Sequence, residues 1–317
     1  MINFGIIGCG GIAARFAKAL AASPEARLYA CAARDQARAD AFAQEHGAEK
    51  SYGDYAAILR DEKVEAVYIA TIHTAHAQAA RDCILAGKPV LCEKPFFVNA
   101  REARAVIDLA RERQVLCVEA FWTRMLPAYR KVKEWIDGGK IGEVRLIRAA
   151  FCSFVPYREE MKRHRLWDPR QGGGALLDIG VYPYEYVTGL LGGPPSELYS
   201  ATLPAPTGVD LTVSMTMKYK SALAECLASI GGWMDDTAVI SGTNGYIKQP
   251  KFWGGRDAEL YNAGGSLVER FYDPESEGFV HEIAHFAELY HSGATESPLI
   301  PLEDTLDFAQ RVEGVLA

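Results

Sequence analysis

The apolar run Ile2 to Ile7 leads directly into Gly8-Cys9-Gly10-Gly11-Ile12-Ala13. This pairing constrains the fold more than anything else in the chain. A buried strand followed by glycines and then an Ala-rich helical stretch, Gly11 to Ala22, reads as the first half of a βαβ unit. Gly8 permits the tight turn and Gly10 lets the backbone approach a pyrophosphate. Ala13 replaces the usual third glycine yet stays small enough for close helix–strand packing. The helix that follows offers free N–H groups and the positive end of its dipole to phosphate. Gly8, Gly10, Gly11, Ile12 and Ala13 are therefore candidate dinucleotide contacts.

The pattern continues. Leu28 to Ala33 and Ala66 to Ala70 read as strands. Asp35 to His46 reads as a helix ending at Gly47, and Thr74 to Ala86 as one closed by Gly87. Asn99 is placed to cap a helix with Glu102 three residues on, and Ala103, Val106, Ile107 and Ala110 share its apolar face. Val115 to Val118 is a further short strand. Alternation of this kind predicts a doubly wound parallel sheet over residues 1–121. From residue 122 the texture changes. Leu211 to Met217 alternates strictly, similar segments recur as far as Tyr272, and two helices are expected at Phe279 to His291 and Leu302 to Leu316. Residues 122–317 thus read as an α+β domain with a mainly antiparallel sheet. The expected class is α/β, a Rossmann domain followed by this second domain.

At 317 residues the chain can bury two cores. A net charge of −7 argues against a nucleic-acid partner, which calls for a basic stripe. No apolar run approaches the ~20 residues of a membrane span. The seven cysteines form no CxxC pair or regular framework, and the first strand leaves no room for a targeting peptide. A cytoplasmic protein is expected.

Two further constellations carry chemistry. Glu93-Lys94-Pro95 follows the apolar run Pro89 to Cys92, so a parallel sheet would deliver Lys94 to the cofactor. In Gly172 to Tyr182, Asp178 and Tyr182 lie four residues apart and share a helix face. Lys94, Asp178 and Tyr182 suit alcohol oxidation. A free tyrosine titrates near pH ~10, and an adjacent ammonium favours its phenolate. Lowering that value by about two units takes ~2.7 kcal/mol, within the roughly 4 kcal/mol that one close charge offers. At the end of the second strand, Arg34 and Arg38 are suited to clamp a 2′-phosphate, which favours NADP; Asp35 can instead cap the helix or hold an NAD ribose. His281-Glu282-Ile283-Ala284-His285 also fits the zinc-protease pattern H-E-x-x-H, but nothing at that spacing supplies the third ligand, so no metal is expected.

These residues resemble the glucose–fructose oxidoreductase and inositol dehydrogenase (Gfo/Idh/MocA) family. The resemblance runs from Gly8–Ala13 through Glu93-Lys94-Pro95 and Gly172–Tyr182 to His281–Phe286 and Glu296-Ser297-Pro298. Val98-Asn99-Ala100 and Glu119 to Arg124 are similar to the dimeric dihydrodiol dehydrogenase branch, which also contains NADP-dependent D-xylose dehydrogenases. The resemblance implies a catalytic Lys94 supported by Asp178. Tyr182 stands where many members carry histidine, as in that branch, and is the implied acid/base. It also implies that Arg34 and Arg38 bind NADP, that Thr71, His73 and His76 line the nicotinamide side, with a capping or core role the alternative for His76, and that Glu93 and Lys94 contact the cofactor. Trp122, Phe154, Trp167, Trp253 and Phe279 are candidate substrate contacts, since aromatic faces stack on rings, with core packing the alternative for each, and Arg124 of the branch motif is a further candidate. The face carrying Thr212, Ser214 and Thr216 is expected to pair two subunits. The expected activity is hydride transfer between NADP and a sugar or cyclic diol. A reductase of another carbonyl substrate, such as 1,5-anhydrofructose, and a non-catalytic NADP-binding regulator are the alternatives.

Overall fold

The structure is a computed structural model that describes residues 1–275 and 277–316. It resolves into two compact units, Met1–Phe121 with Phe279–Ala309, and Trp122–Gly278 with Gln310–Ala317.

In the first unit the elements run β1 (Ile2–Ile7), α1 (Gly11–Ala22), β2 (Ala26–Ala32), α2 (Gln36–His46), β3 (Lys50–Tyr52), α3 (Tyr55–Leu59), β4 (Ala66–Ile69), α4 (His76–Leu85), β5 (Val90–Glu93), α5 (Ala100–Arg113) and β6 (Cys117–Ala120). The strands form one parallel sheet in the order β3-β2-β1-β4-β5-β6. The order reverses between β1 and β4, and ligands of such sheets bind at the carboxyl ends of the strands there. The central strands are buried on both faces, which is why they read as continuous apolar runs. The expected caps are present: Asp35 accepts from the N–H of Arg38, Asn99 from that of Glu102, and Gly47 ends α2 in the left-handed conformation. The sequence patterns missed β3 and α3, which are too short to carry a period.

The second unit contains α6 (Pro127–Asp137), β7 (Val144–Cys152), a π-helical turn at Leu176–Gly180, α7 (Val181–Leu191), and β8 to β14. These strands span Glu197–Pro204, Asp210–Lys218, Leu223–Ser229, Ala238–Gly242, Gly245–Gln249, Asp257–Asn262 and Leu267–Tyr272. They form an eight-stranded sheet in the order β14-β13-β12-β11-β7-β10-β9-β8, antiparallel except for the parallel pair β7–β10. Along β9, Val213, Met215 and Met217 are buried while Ser214 and Lys218 are exposed, as the alternation requires.

The split at residue 121 differs from the compact units in one respect. Helix α8 (Phe279–Ser292) and the following chain as far as Ala309 belong with the first unit. Phe279 packs edge-on to Phe16 of α1 and Phe286 lies 5.3 Å from Phe4 of β1. Burying Phe279, Ile283 and Phe286 stabilises this docking by roughly 1.5–3 kcal/mol each. Helix α9 (Leu302–Val315) adds Leu302, Leu306 and Ala309 to the cluster that holds Val106, Ile107 and Ala110 of α5.

Candidate active site

Gly8 sits at φ +99°, and a Cβ there would stand 2.6 Å from the carbonyl oxygen of Ala70. Only glycine fits, because the loops after β1 and β4 meet at this point. At Gly10 and Gly11 an added Cβ would find no atom within 4 Å. Gly10 caps α1 with no side chain, so the first N–H groups of the helix are open to a ligand. Ala13 is fully buried under the helix and Ile12 partly so. A free helix terminus with open space in front of it fits a dinucleotide pyrophosphate.

At the end of β2 the side chain of Asp35 caps α2. Arg38 reaches back to the glycine loop, its Nη2 donating to the Cys9 carbonyl over 3.0 Å. Arg34 is exposed. Burial pushes the Tyr55 phenol up while the charges of Arg34 and Arg38 oppose it. Tyr55, at the start of α3, escaped the sequence reading because nothing local marks a tyrosine in so short a helix.

Lys94 follows the end of β5, and its peptide bond to Pro95 is cis. The surrounding groups hold this loop from behind. Glu93 accepts from the hydroxyl of Tyr68 and, at 3.2 Å, from the N–H of Lys94. Phe96 donates its N–H to Glu119 over 2.9 Å, and Thr305 donates to the same carboxylate over 2.7 Å. His76 is fully buried, with Nδ1 2.9 Å from the Pro95 carbonyl and Nε2 3.2 Å from that of Thr71. Glu93 was expected to contact the cofactor and His76 to line the nicotinamide side. Both are buried: Glu93 is shared between Tyr68 and the Lys94 N–H, and His76 lies between the Pro95 and Thr71 carbonyls. Thr71 and His73 stay partly exposed at the carboxyl end of β4.

Behind the loop lies Glu282 of α8, fully buried, with neither carboxylate oxygen hydrogen-bonded. Burial raises its carboxyl well above the usual carboxylate range, and neighbouring Glu93 adds to this. His285 of the same helix contacts the Ser297 hydroxyl at 2.8 Å. Among the described residues no three metal-ligating side chains cluster.

In the second unit, the segment carrying Asp178 and Tyr182 is helical, but its first part is the π turn rather than α-helix. Such turns are frequent at functional sites. Asp210 of β9 fastens its start: Oδ2 accepts from the Leu176 N–H over 2.6 Å. Gly174, at φ +110°, leaves room for this carboxylate, since a Cβ there would stand 2.0 Å from Oδ1. Burial pushes Asp210 up to about 6, against backbone N–H groups that favour its ionised form. Asp178 pairs with Arg165 over 2.8 Å. One helical turn on, Tyr182 meets an aromatic wall. Its ring lies 5.4 Å from Phe151 and 6.4 Å from Trp253. Trp253 stacks on Phe151 at 4.6 Å and lies 6.5 Å from Trp122. The Trp253 indole donates to Asp236 over 2.7 Å and its carbonyl accepts from Thr123 over 2.7 Å, which fixes the ring.

Trp122 and Trp253 thus come together with Tyr182. Phe151, an alternate residue of β7, completes the wall and was missed, although its position in the strand was the available signal. Three other candidate substrate contacts are buried in packing of their own. Arg124 is buried and holds Glu185 and Thr188, at 2.7 Å to the carboxylate and 2.8 Å to the hydroxyl. Trp167 is fully buried against Tyr157. Phe279 is buried against Phe16, with Arg15 over its ring. Phe154 is half exposed on an isolated bridge to Gly231, outside the wall.

The parallel sheet, glycine loop and helix terminus define a nicotinamide-dinucleotide oxidoreductase. Residues 2–121 match the oxidoreductase family with an NAD-binding Rossmann fold, and residues 129–248 match the GFO/IDH/MocA C-terminal domain. The chain is 35% identical to the trans-1,2-dihydrobenzene-1,2-diol dehydrogenase of Mus musculus, over 98% of this chain and 95% of that protein. It is equally 35% identical to the Homo sapiens enzyme of that name, over 99% and 96%. A 3-ketoreductase from Actinomadura kijaniata, solved with NADP and TDP-benzene, superposes with a TM-score of 0.86 at 28% identity, over 99% and 96% of the two chains. The chain belongs to the GFO/IDH/MocA oxidoreductase family, as the sequence resemblance implied. Its two sheets have the architecture expected for that family.

Proposed function

We propose that this protein is an NADP-dependent dehydrogenase of a sugar or cyclic diol, with Lys94 and Tyr182 as its catalytic residues. The observation that carries the reading is the setting of Tyr182, a phenol beside the wall of Phe151, Trp253 and Trp122. Such a wall suits a ring-shaped substrate whose hydroxyl is presented to the phenol. The relatives named for dihydrodiol oxidation support the substrate class, and the NADP-bound ketoreductase supports the cofactor. Bound NADP would accept or return the hydride at its nicotinamide ring. The chain itself moves the proton. Tyr182 takes it from the substrate hydroxyl in oxidation and returns it in reduction. The Lys94 ammonium stabilises the oxyanion that develops. Asp178, paired with Arg165, orients the segment that carries Tyr182. Arg34 and Arg38 receive the 2′-phosphate, because Asp35 is committed to capping α2.

The protein works as a cytoplasmic homodimer in this reading. On the outer face of the eight-stranded sheet, Leu146, Tyr199, Leu203 and Leu223 are all exposed, and the strand register puts them on one side with Thr212 and Thr216. Sedimentation velocity tests the dimer; a monomer at micromolar concentration would refute it.

Initial rates with NADP and NAD over aldoses, inositols and cyclic dihydrodiols test the activity. Turnover of aldoses or dihydrodiols with NADP is expected. Turnover with NAD alone would remove the role given to Arg34 and Arg38. Tight NADPH binding without turnover of any member of the panel would favour the regulatory alternative.

A further inference from the structure

Helix N-termini leave their first N–H groups unsatisfied, and the side chain of the residue before the helix commonly accepts from one of them. In the segment that carries Asp178 and Tyr182 that residue is Gly174, whose carbonyl accepts from the Asp178 N–H over 3.2 Å. Glycine has no side chain to offer. At φ +110° few other residues fit, and a Cβ there would stand 2.0 Å from Oδ1 of Asp210. The cap comes instead from 34 residues further along the chain, at the first residue of β9: Oδ2 of Asp210 accepts from the Leu176 N–H over 2.6 Å. The N–H of Gly174 is held by the Leu166 carbonyl at 2.9 Å, and a Cβ on Gly173 would stand 2.6 Å from that oxygen. Two glycines thus bring the chain in close, and the Asp210 carboxylate takes the place of the missing side chain.

The π turn at Leu176–Gly180 lies between this cap and the rest of α7, with Asp178 inside it and Tyr182 just beyond. A first turn released from its cap can rewind from π to α geometry. That shift of one residue turns Asp178 by about 100° relative to Tyr182. Asp210 is 5% exposed, and burial pushes it up to about 6 against the N–H groups of Leu176 and Ala175. It is therefore charged above that pH and protonated below it. The charged form caps more strongly, since it meets the positive end of the helix with a charge-assisted bond. Of the ionisable groups on the elements packed around it, Asp178 pairs with Arg165 and Asp168 with Arg170. Glu225 of β10 is exposed, and Glu197 of β8 pairs with Lys218 at the far end of β9.

We propose that Asp210, in its ionised form, is a positioning residue that keeps Asp178 and Tyr182 in register for proton transfer. The proposal rests on the reading of Tyr182 as the group that carries the proton. The test compares wild type with Asp210→Asn, which keeps an accepting oxygen without the charge, and Asp210→Ala, which keeps neither. Steady-state rates from pH 5 to pH 8 are read beside NADPH titration and hydrogen exchange of the amides of residues 175–182. At pH 8 Asp210→Ala should lose about tenfold or more in kcat, with KM and NADPH affinity within a few-fold. Asp210→Asn should match wild type at pH 5, where both side chains are largely neutral, and fall about three- to tenfold below it at pH 8. Exchange over residues 175–182 should quicken about tenfold in Asp210→Ala, a readout that needs no substrate. A ratio of wild type to Asp210→Asn that is equal at the two pH values, or unaltered exchange in Asp210→Ala, would overturn the proposal. Tyr182→Phe, assayed alongside, separates the two readings. If it turns over as wild type does, the proton belongs to another group and both readings fall. If it is slow while Asp210→Ala is not, the positioning role alone fails.

Discussion

His76 places Nδ1 2.9 Å from the carbonyl oxygen of Pro95, the residue that follows Lys94. Its other nitrogen faces the Thr71 carbonyl at 3.2 Å. One buried ring thereby packs between the lysine loop and the end of β4, and in its neutral form it can donate to only one of the two carbonyls. Burial lowers its pKa to about 4, with the Lys94 charge acting in the same direction, so the ring is neutral at pH 7 and donates one proton to the nearer oxygen. A buried neutral histidine favours the folded state above its unfolded pKa of 6.5, and this stability is lost as pH falls towards about 4. His76→Ala should destabilise the protein by ~1–3 kcal/mol at pH 7. It should also flatten the decline between those two pH values. Denaturant melts across that window check this; an unchanged pH profile would remove the ring from the account.

Lys94→Ala and Tyr182→Phe are expected to lower kcat by about a hundredfold or more each. NADPH affinity should stay within a few-fold, because neither residue is assigned to the phosphates. Steady-state rates beside fluorescence titration separate the two effects. A Lys94→Ala protein with wild-type kcat would end the proposed mechanism.

Arg34→Ala should weaken NADP binding about ten- to a hundredfold, the worth of a charge-assisted contact of ~1.5–3 kcal/mol. NAD binding should barely change, since NAD lacks the 2′-phosphate. Parallel titrations decide it, and equal losses for both cofactors would place the phosphate contact elsewhere.

Glu282 makes the opposite pH prediction to His76. Its folded-state pKa is raised, so the unfolded chain releases the proton first and stability falls as pH rises above the ordinary glutamate value. Glu282→Gln, which cannot ionise, should melt higher than wild type at pH 8 by more than it does at pH 5. Thermal melts at both values test this, and a pH-independent difference between the two proteins would contradict a buried, protonated acid.

Much of the first unit was legible in the sequence because its signals are local. The glycine loop, the Asp35 and Asn99 caps and the apolar strands each depend on residues within a few positions of one another. The same holds for Lys94 at the end of β5 and for Asp178 and Tyr182 on one helical segment. Helix α8 was read correctly as a helix but assigned to the wrong unit, since its periodicity says which face is apolar and not which core receives it.

The sequence by itself determined the order of elements, the dinucleotide loop and the identity of the polar groups suited to the chemistry. Only the tertiary structure decided which of those groups are free to act. Arg124 is buried beside Glu185, 61 residues away, Phe279 packs on Phe16, and His76 and Glu93 lie beneath the lysine loop. Phe151 and Asp210 gained their places in the same way. A side chain's burial and hydrogen-bond partners are set by contacts between distant segments, and no local period or spacing encodes those.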